Sequence, residues 1–138
     1  MPGIRRGGRD DLPAIERIQA ASPEAVHWPA EEYLTYDLWV AENGATVTGF
    51  LVSRSLGEGE GEMLNLAVAP ECRKTGVAKA LIRAFLSEFT SAAYLELRES
   101  NLAALNLYKS MGFQEVSRRP EYYRSPPEAA IVMKFHSC

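Results

Sequence analysis

The chain has 138 residues, 46% of them hydrophobic, which is enough for one substantial core and too few to divide comfortably in two, so a single domain over residues 1–138 is predicted. With 15 Lys and Arg against 18 Asp and Glu, the net charge is −3 and no long single-sign block appears; this argues against a nucleic-acid arm or a disordered tail and mildly favours cationic partners. No apolar run reaches the roughly 18–20 residues of a membrane span, and the start Met1 to Arg6 lacks the apolar stretch of a signal peptide, so a soluble cytoplasmic protein without nucleic-acid or membrane partners is expected.

In chain order, Ile4 to Arg6 reads as a short strand, and Asp10 or Asp11 as the cap of a helix carrying Leu12, Ile15 and Ile18, with Pro13 in its first turn and an end near Ser22-Pro23. Pro29 opens a second short helix through Leu34. Leu38 to Ala41 is a strand, followed by a tight hairpin turn at Asn43-Gly44. Thr46 to Ser55 is β-branched and alternating; Gly57 to Glu62 reads as an exposed flexible loop before the strand Met63 to Val68, completing a three-stranded meander.

Beyond Pro70 the period changes. Val77, Leu81, Phe85 and Phe89 recur every four residues from Gly76 to Thr90, a largely buried helix, and Tyr94 to Leu97 follows as a strand. Asn101 begins a helix with Leu102, Leu105, Tyr108 and Met111 on one stripe, and Gly112 stands where a left-handed residue ends a helix. Gln114 to Arg118 and Ala130 to Phe135 are the last strands. Strands first, then alternation with helices, predict a mixed α/β sheet of about six or seven strands with helices on both faces.

Cys72 and Cys138 have no Cys or His nearby at ligand spacing, so both read as free thiols and no metal is expected. A thiol nucleophile needs a histidine base, and nothing in the sequence brings His27 or His136 near Cys72.

The stretch Leu64-Asn65-Leu66-Ala67-Val68-Ala69-Pro70, then Arg73-Lys74-Thr75-Gly76-Val77-Ala78-Lys79, joins a buried strand to a helix start. There the first helical amides lack internal partners, so residues 74–79 can aim N–H groups and the positive end of the helix dipole at an anion such as a pyrophosphate. Gly76 permits a tight or left-handed backbone, Ala78 stays small on the same face, and Arg73, Lys74 and Lys79 add positive charge. The plain alternative is an ordinary solvated helix start.

The order Arg73, Gly76, Ala78 resembles the acetyl-CoA-binding element of the GNAT N-acetyltransferase superfamily. The resemblance implies an acyl-CoA N-acyltransferase fold with acetyl-CoA as co-substrate. It further implies that the backbones of Leu66 and Val68 pair with the pantetheine arm, that the Val68 amide supports the thioester carbonyl, and that Ala67, Thr75 and Val77 lie in the same cofactor element. Thr75 departs from the pattern, since an arginine commonly precedes the glycine.

A longer stretch, from Leu95-Glu96-Leu97-Arg98 through Ser100-Asn101 and Leu107-Tyr108 to Gly112-Phe113, with Tyr122-Tyr123 and Ile131-Val132-Met133 later, resembles the bacterial ribosomal-protein alanine N-acetyltransferase family. With Ile4-Arg5, Asp11 to Ile15 and His27-Trp28 the likeness touches nearly the whole chain. It implies Glu96 as general base, Tyr108 as general acid, Asn101 as a cofactor contact, and a protein N-terminus as acceptor, with alanine of a small-subunit ribosomal protein as target. A strand-end Glu96, and Tyr108 two turns into the next helix, can both face a cleft where two strands splay apart.

Each assignment has a plainer alternative: Tyr108 as a core aromatic, Glu96 as a solvated carboxylate, Arg98 and Glu99 as surface or loop-ordering charges, His27 as a packing residue of a loop like those that cover substrate, and His136 as solvated. Glu31, Glu32, Glu121 and Glu128 are candidates to attract a basic peptide. Competing functions are a small-molecule amine or lysine acetyltransferase and a non-catalytic acyl-CoA-binding module, in each case as a monomer or weak dimer.

Overall fold

A computed structural model describes residues 3–23, 27–124 and 127–136. Among them are seven strands: β1 (Gly3–Arg6), β2 (Asp37–Asn43), β3 (Thr46–Gly57), β4 (Glu60–Val68), β5 (Ala92–Arg98), β6 (Gln114–Arg124) and β7 (Pro127–His136). The helices are α1 (Leu12–Ala20), α2 (Val77–Leu86) and α3 (Leu102–Ser110), with short 3-10 segments at Arg9–Asp11, Ala30–Thr35 and Pro70–Cys72. Hydrogen bonding joins the strands in the order β1-β2-β3-β4-β5-β7-β6, with β4 and β5 parallel, so the sheet is mixed as predicted. None of the helices is long and apolar enough to cross a membrane.

The chain forms two compact units, Met1–Arg54 with Met63–Glu88, and Ser55–Glu62 with Phe89–Cys138. In the first, β1 and β3 pair antiparallel with β2. The inward alternation of Leu38, Val40, Phe50 and Val52 meets Ile15 and Ile18 of α1 and Tyr33 to make a dry core. Burying each such side chain contributes about 1.5–3 kcal/mol. The cap expected of Asp11 is absent: its carboxylate turns back to Arg5 at 2.8 Å and to the Gly8 N–H at 2.8 Å, because a guanidinium outcompetes a helix amide. That guanidinium holds Asp11 below the ordinary carboxylate range.

Two turns differ from expectation. Asn43 pairs with Thr46, so the hairpin loop is Gly44-Ala45 rather than Asn43-Gly44, with Gly44 at φ +62. The supposed loop Gly57 to Glu62 is ordered: β3 runs to Gly57, Glu58 and Gly59 take positive φ as the turn, and β4 starts at Glu60. Gly61 belongs in the strand because a Cβ there would lie 2.2 Å from the Phe89 ring, which fills the space. Phe89 is thereby buried beyond the end of α2, which is shorter than its four-residue period implied.

In the second unit, Glu60–Glu62 pair in parallel with Ala92–Tyr94, and β7 pairs antiparallel with both β5 and β6. Leu95, Leu97, Ile131 and Met133 are buried together on one face of β5 and β7. The stripe predicted on α3 is not a buried one: Leu102 is exposed, Leu105 and Met111 are half-buried, and Tyr108 alone in the helix is buried. The helix end does follow prediction. Gly112 stands at φ +102, Gly112 N–H donates to Lys109 C=O at 3.1 Å, and Phe113 N–H donates to Tyr108 C=O at 3.0 Å. This is the six-to-one and five-to-two closure in which the residue after the glycine packs on the last turn, and the Phe113 and Tyr108 rings meet at 5.8 Å.

Candidate functional site

In the first unit the end of β4 is set by a buried polar network. By alternation Asn65 shares the inward face with Met63 and Ala67; its Nδ2 donates to the Tyr33 hydroxyl at 2.9 Å, and that hydroxyl donates to Gln19 Oε1. Gln19 Nε2 in turn donates to the Trp28 carbonyl at 2.7 Å. Burial pushes the Tyr33 phenol above its ordinary range, so it remains a donor. Asn65 Oδ1 accepts the Leu66 N–H at 2.9 Å, which leaves the Leu66 carbonyl as the group it can offer a ligand. Ala69 N–H donates to Thr48 C=O on the β3 side at 2.8 Å, so alternation turns the Val68 amide to the opposite edge.

The chain then turns through Pro70–Cys72. Arg73 is committed to the scaffold: Nε donates to Val68 C=O, and Nη2 to Ala21 C=O and Ser22 Oγ, each at 3.2 Å. It ties the end of β4 to the end of α1 rather than standing free as mobile charge. Lys74 takes φ +63, the Thr75 hydroxyl donates to Cys72 C=O, and Gly76 takes φ +91 as the residue before α2. Ala80 N–H donates to Gly76 C=O at 3.0 Å, while the amides of Val77, Ala78 and Lys79 have no acceptor among the described residues. A Cβ on Gly76 would meet no atom within 4 Å, and the first turn of α2 carries no acidic side chain. Lys74 and Lys79 are exposed beside it. Unpaired amides, an open approach and positive charge fit the diphosphate that the sequence resemblance implies.

The second unit holds Glu96, Asn101 and Tyr108. Glu96 lies on the face of β5 opposite Leu95 and Leu97; its side chain is 22% exposed and is ion-paired to Arg119 Nη2 at 3.2 Å. Leu95 to Arg98 are paired on one side only, to β7, among the described residues. Arg98 bonds Glu128 at 3.1 Å and Ser100 N–H donates to Glu128 at 2.6 Å, so these charges order the turn before α3. Those bonds hold the Glu128 carboxyl below its usual range and remove it as a free lure for a basic peptide. Asn101 Oδ1 caps α3 by accepting the Ala104 N–H at 3.3 Å. Tyr108 is 6% exposed, and burial pushes its phenol well above the usual value. Its proton is therefore retained through neutral pH, and the same burial makes the phenol a weaker proton donor than an exposed tyrosine.

The remaining candidates are scattered. His27 Nε2 lies 2.9 Å from the Ser22 carbonyl, Glu31 faces Arg9 at 3.3 Å, and Cys72 is a half-buried free thiol. Cys138 and the side chains of Glu121 and Tyr123 lie outside the described residues. No cluster of three or more His, Cys, Asp or Glu suited to a metal ion occurs among the described residues. Sequence reading missed Arg119 as the partner of Glu96, and missed the Asn65 network, whose only signal is a polar residue on the inward face of an apolar strand.

The chain as a whole is similar to known proteins. Residues 10–113 match the Acetyltransferase (GNAT) family. The [ribosomal protein bS18]-alanine N-acetyltransferase of Escherichia coli strain K12 is 31% identical over 137 residues, spanning 89% of this chain and 89% of that one. The crystal structure of the Escherichia coli ribosomal-protein-S18-alanine N-acetyltransferase superposes with TM-score 0.84 and 27% identity, over 100% of this chain and 96% of that chain. Arabidopsis thaliana NAA60, solved in complex with acetyl-CoA, shares the fold at TM-score 0.85 and 21% identity, over 99% of this chain and 98% of that chain.

Proposed function

This chain belongs to the acetyltransferase (GNAT) family, and we propose that it transfers acetyl from acetyl-CoA to the N-terminal α-amine of a protein, with alanine of a small-subunit ribosomal protein as the target. Both compact units are parts of one acetyltransferase domain; the family match, from residue 10 to residue 113, runs through each. The observation that carries the reading is the turn at Gly76, where a left-handed glycine precedes a helix whose first three amides have no acceptor among the described residues. Those amides, with Lys74 and Lys79, hold the diphosphate; Arg73 acts from behind by fixing the end of β4. The Leu66 carbonyl and the Val68 amide meet the pantetheine arm, and the Val68 amide supports the carbonyl oxygen as it gains charge.

An α-ammonium has a pKa near 8 and must lose a proton before its nitrogen attacks. Glu96 takes that proton, directly or through water; the freed amine forms the C–N bond, the C–S bond breaks as the new amide nitrogen gives its second proton to water, and Tyr108 protonates the leaving sulfur and is reprotonated from solvent. Asn101 serves the cofactor while its Oδ1 caps α3. The protein acts in the cytoplasm as a monomer or weak dimer. The deciding measurement is acetyl-CoA consumption with an alanine-first peptide against free polyamines and a lysine-containing peptide with a blocked N-terminus. Preference for the alanine-first peptide supports the proposed acceptor; preference for either of the others reassigns the enzyme to small amines or to lysine side chains.

A further inference from the structure

The ion pair on Glu96 is a separate feature of the second unit. Strand alternation puts Tyr94 and Arg98 of β5 on the Glu96 face, and register adds Lys134 of β7 opposite Tyr94. Arg98 is engaged by Glu128 at 3.1 Å, and Lys134 sits over the Tyr94 ring at 5.2 Å. Arg119 Nη2 reaches the carboxylate at 3.2 Å. It is placed there by an irregularity in β6: Glu115 pairs with Met133 and Ser117 with Val132, so Val116 is extra and Arg119, rather than Arg118, falls against Ala130 on the Glu96 face. Such bulges redirect a side chain out of the ladder. The Arg119 guanidinium also stacks on Tyr122 at 5.3 Å, and its side chain is 54% exposed.

A cation held this way satisfies the carboxylate electrostatically and offers it no transferable proton, since a guanidinium does not deprotonate in proteins. The pair is also exposed enough to be worth little and to exchange readily. We infer that Arg119 is the resting counter-ion of Glu96 and a specificity-determining residue, displaced when the acceptor's ammonium arrives, so that acceptor binding replaces one cation by another. This rests on the reading of Glu96 as the group that meets the acceptor amine.

The test is calorimetry on protein saturated with coenzyme A, titrated with two short alanine-first peptides, one with a free α-amine and one N-acetylated. Arg119→Gln should bind the free-amine peptide about two- to five-fold more tightly, the range of an exposed pair, and the acetylated peptide unchanged. Arg119→Lys, which keeps a cation, should show a smaller gain, and in a Glu96→Gln background the gain of Arg119→Gln should vanish. Unchanged or weaker binding of the free-amine peptide, or equal tightening of both, overturns the exchange. Turnover separates the two levels: if Glu96→Gln keeps full kcat, the role of Glu96 fails and the inference with it, whereas if kcat falls and Arg119→Gln binds no tighter, only the exchange fails.

Discussion

Replacing Gly76 by alanine isolates the turn proposed to hold the cofactor. At φ +91 an L-residue is strained by about 1–2 kcal/mol. No atom lies within 4 Å of the added Cβ, so the cost is conformational rather than steric. Gly57 supplies the control, at φ +88 with equally open surroundings but far along the chain from the turn. Both variants should lose about 1–2 kcal/mol in urea unfolding with an unchanged m-value. Only Gly76→Ala should also weaken acetyl-CoA, because relaxation of the strained turn re-aims amides that each contribute about 1.5–3 kcal/mol to a charged acceptor; the loss is about ten- to a hundred-fold in Kd by calorimetry. Equal acetyl-CoA affinity in the two variants would refute the argument that this backbone geometry holds the diphosphate.

Glu96→Gln and Tyr108→Phe should each lower kcat by ~10²-fold while leaving acetyl-CoA binding nearly intact, read by steady-state rates beside calorimetry. Gly61→Ala drives a methyl into the Phe89 ring and should cost about 1–3 kcal/mol in chemical unfolding, a loss that shrinks in a Phe89→Leu background. Asp11 is depressed by Arg5, with the Gly8 N–H assisting and burial opposing. A depressed carboxylate stabilises fully above its unfolded value of about 3.9, and that contribution is lost as pH falls through the lower folded value. Urea midpoints should therefore drop below about pH 4 in the wild type, and the slope should flatten in Asp11→Asn.

Much of the fold was legible because it is written in local periods. The alternation of Leu38 to Ala41 and of Thr46 to Ser55, the four-residue spacing of Val77, Leu81 and Phe85, and the helix-ending Gly112 each correspond to an observed element. The failures share a cause. Gly57 to Glu62 looked like a loop because its strand character depends on Phe89, some thirty residues away, filling the space that Gly61 leaves. The stripe on α3 looked like core because apolar spacing cannot tell which residues a neighbouring element covers, and here Tyr108 is buried while Leu102 is not. Asp11 looked like a cap until a guanidinium arrived from β1.

At the candidate site the same division holds. Sequence alone settled that a glycine, with an alanine two residues on, stands between an apolar strand and a helix, and that a carboxylate lies between two leucines of β5, since both follow from residue type and spacing along a few turns of chain. Tertiary structure decided what these groups touch: Arg73 spent on the backbone of Ala21, Asn65 bonded to the Tyr33 hydroxyl, Arg119 delivered to Glu96 by a bulge in β6. Each of those contacts joins residues distant in the chain or displaced by an irregular register, and no local pattern encodes a partner that only the packing of other elements brings within hydrogen-bond reach.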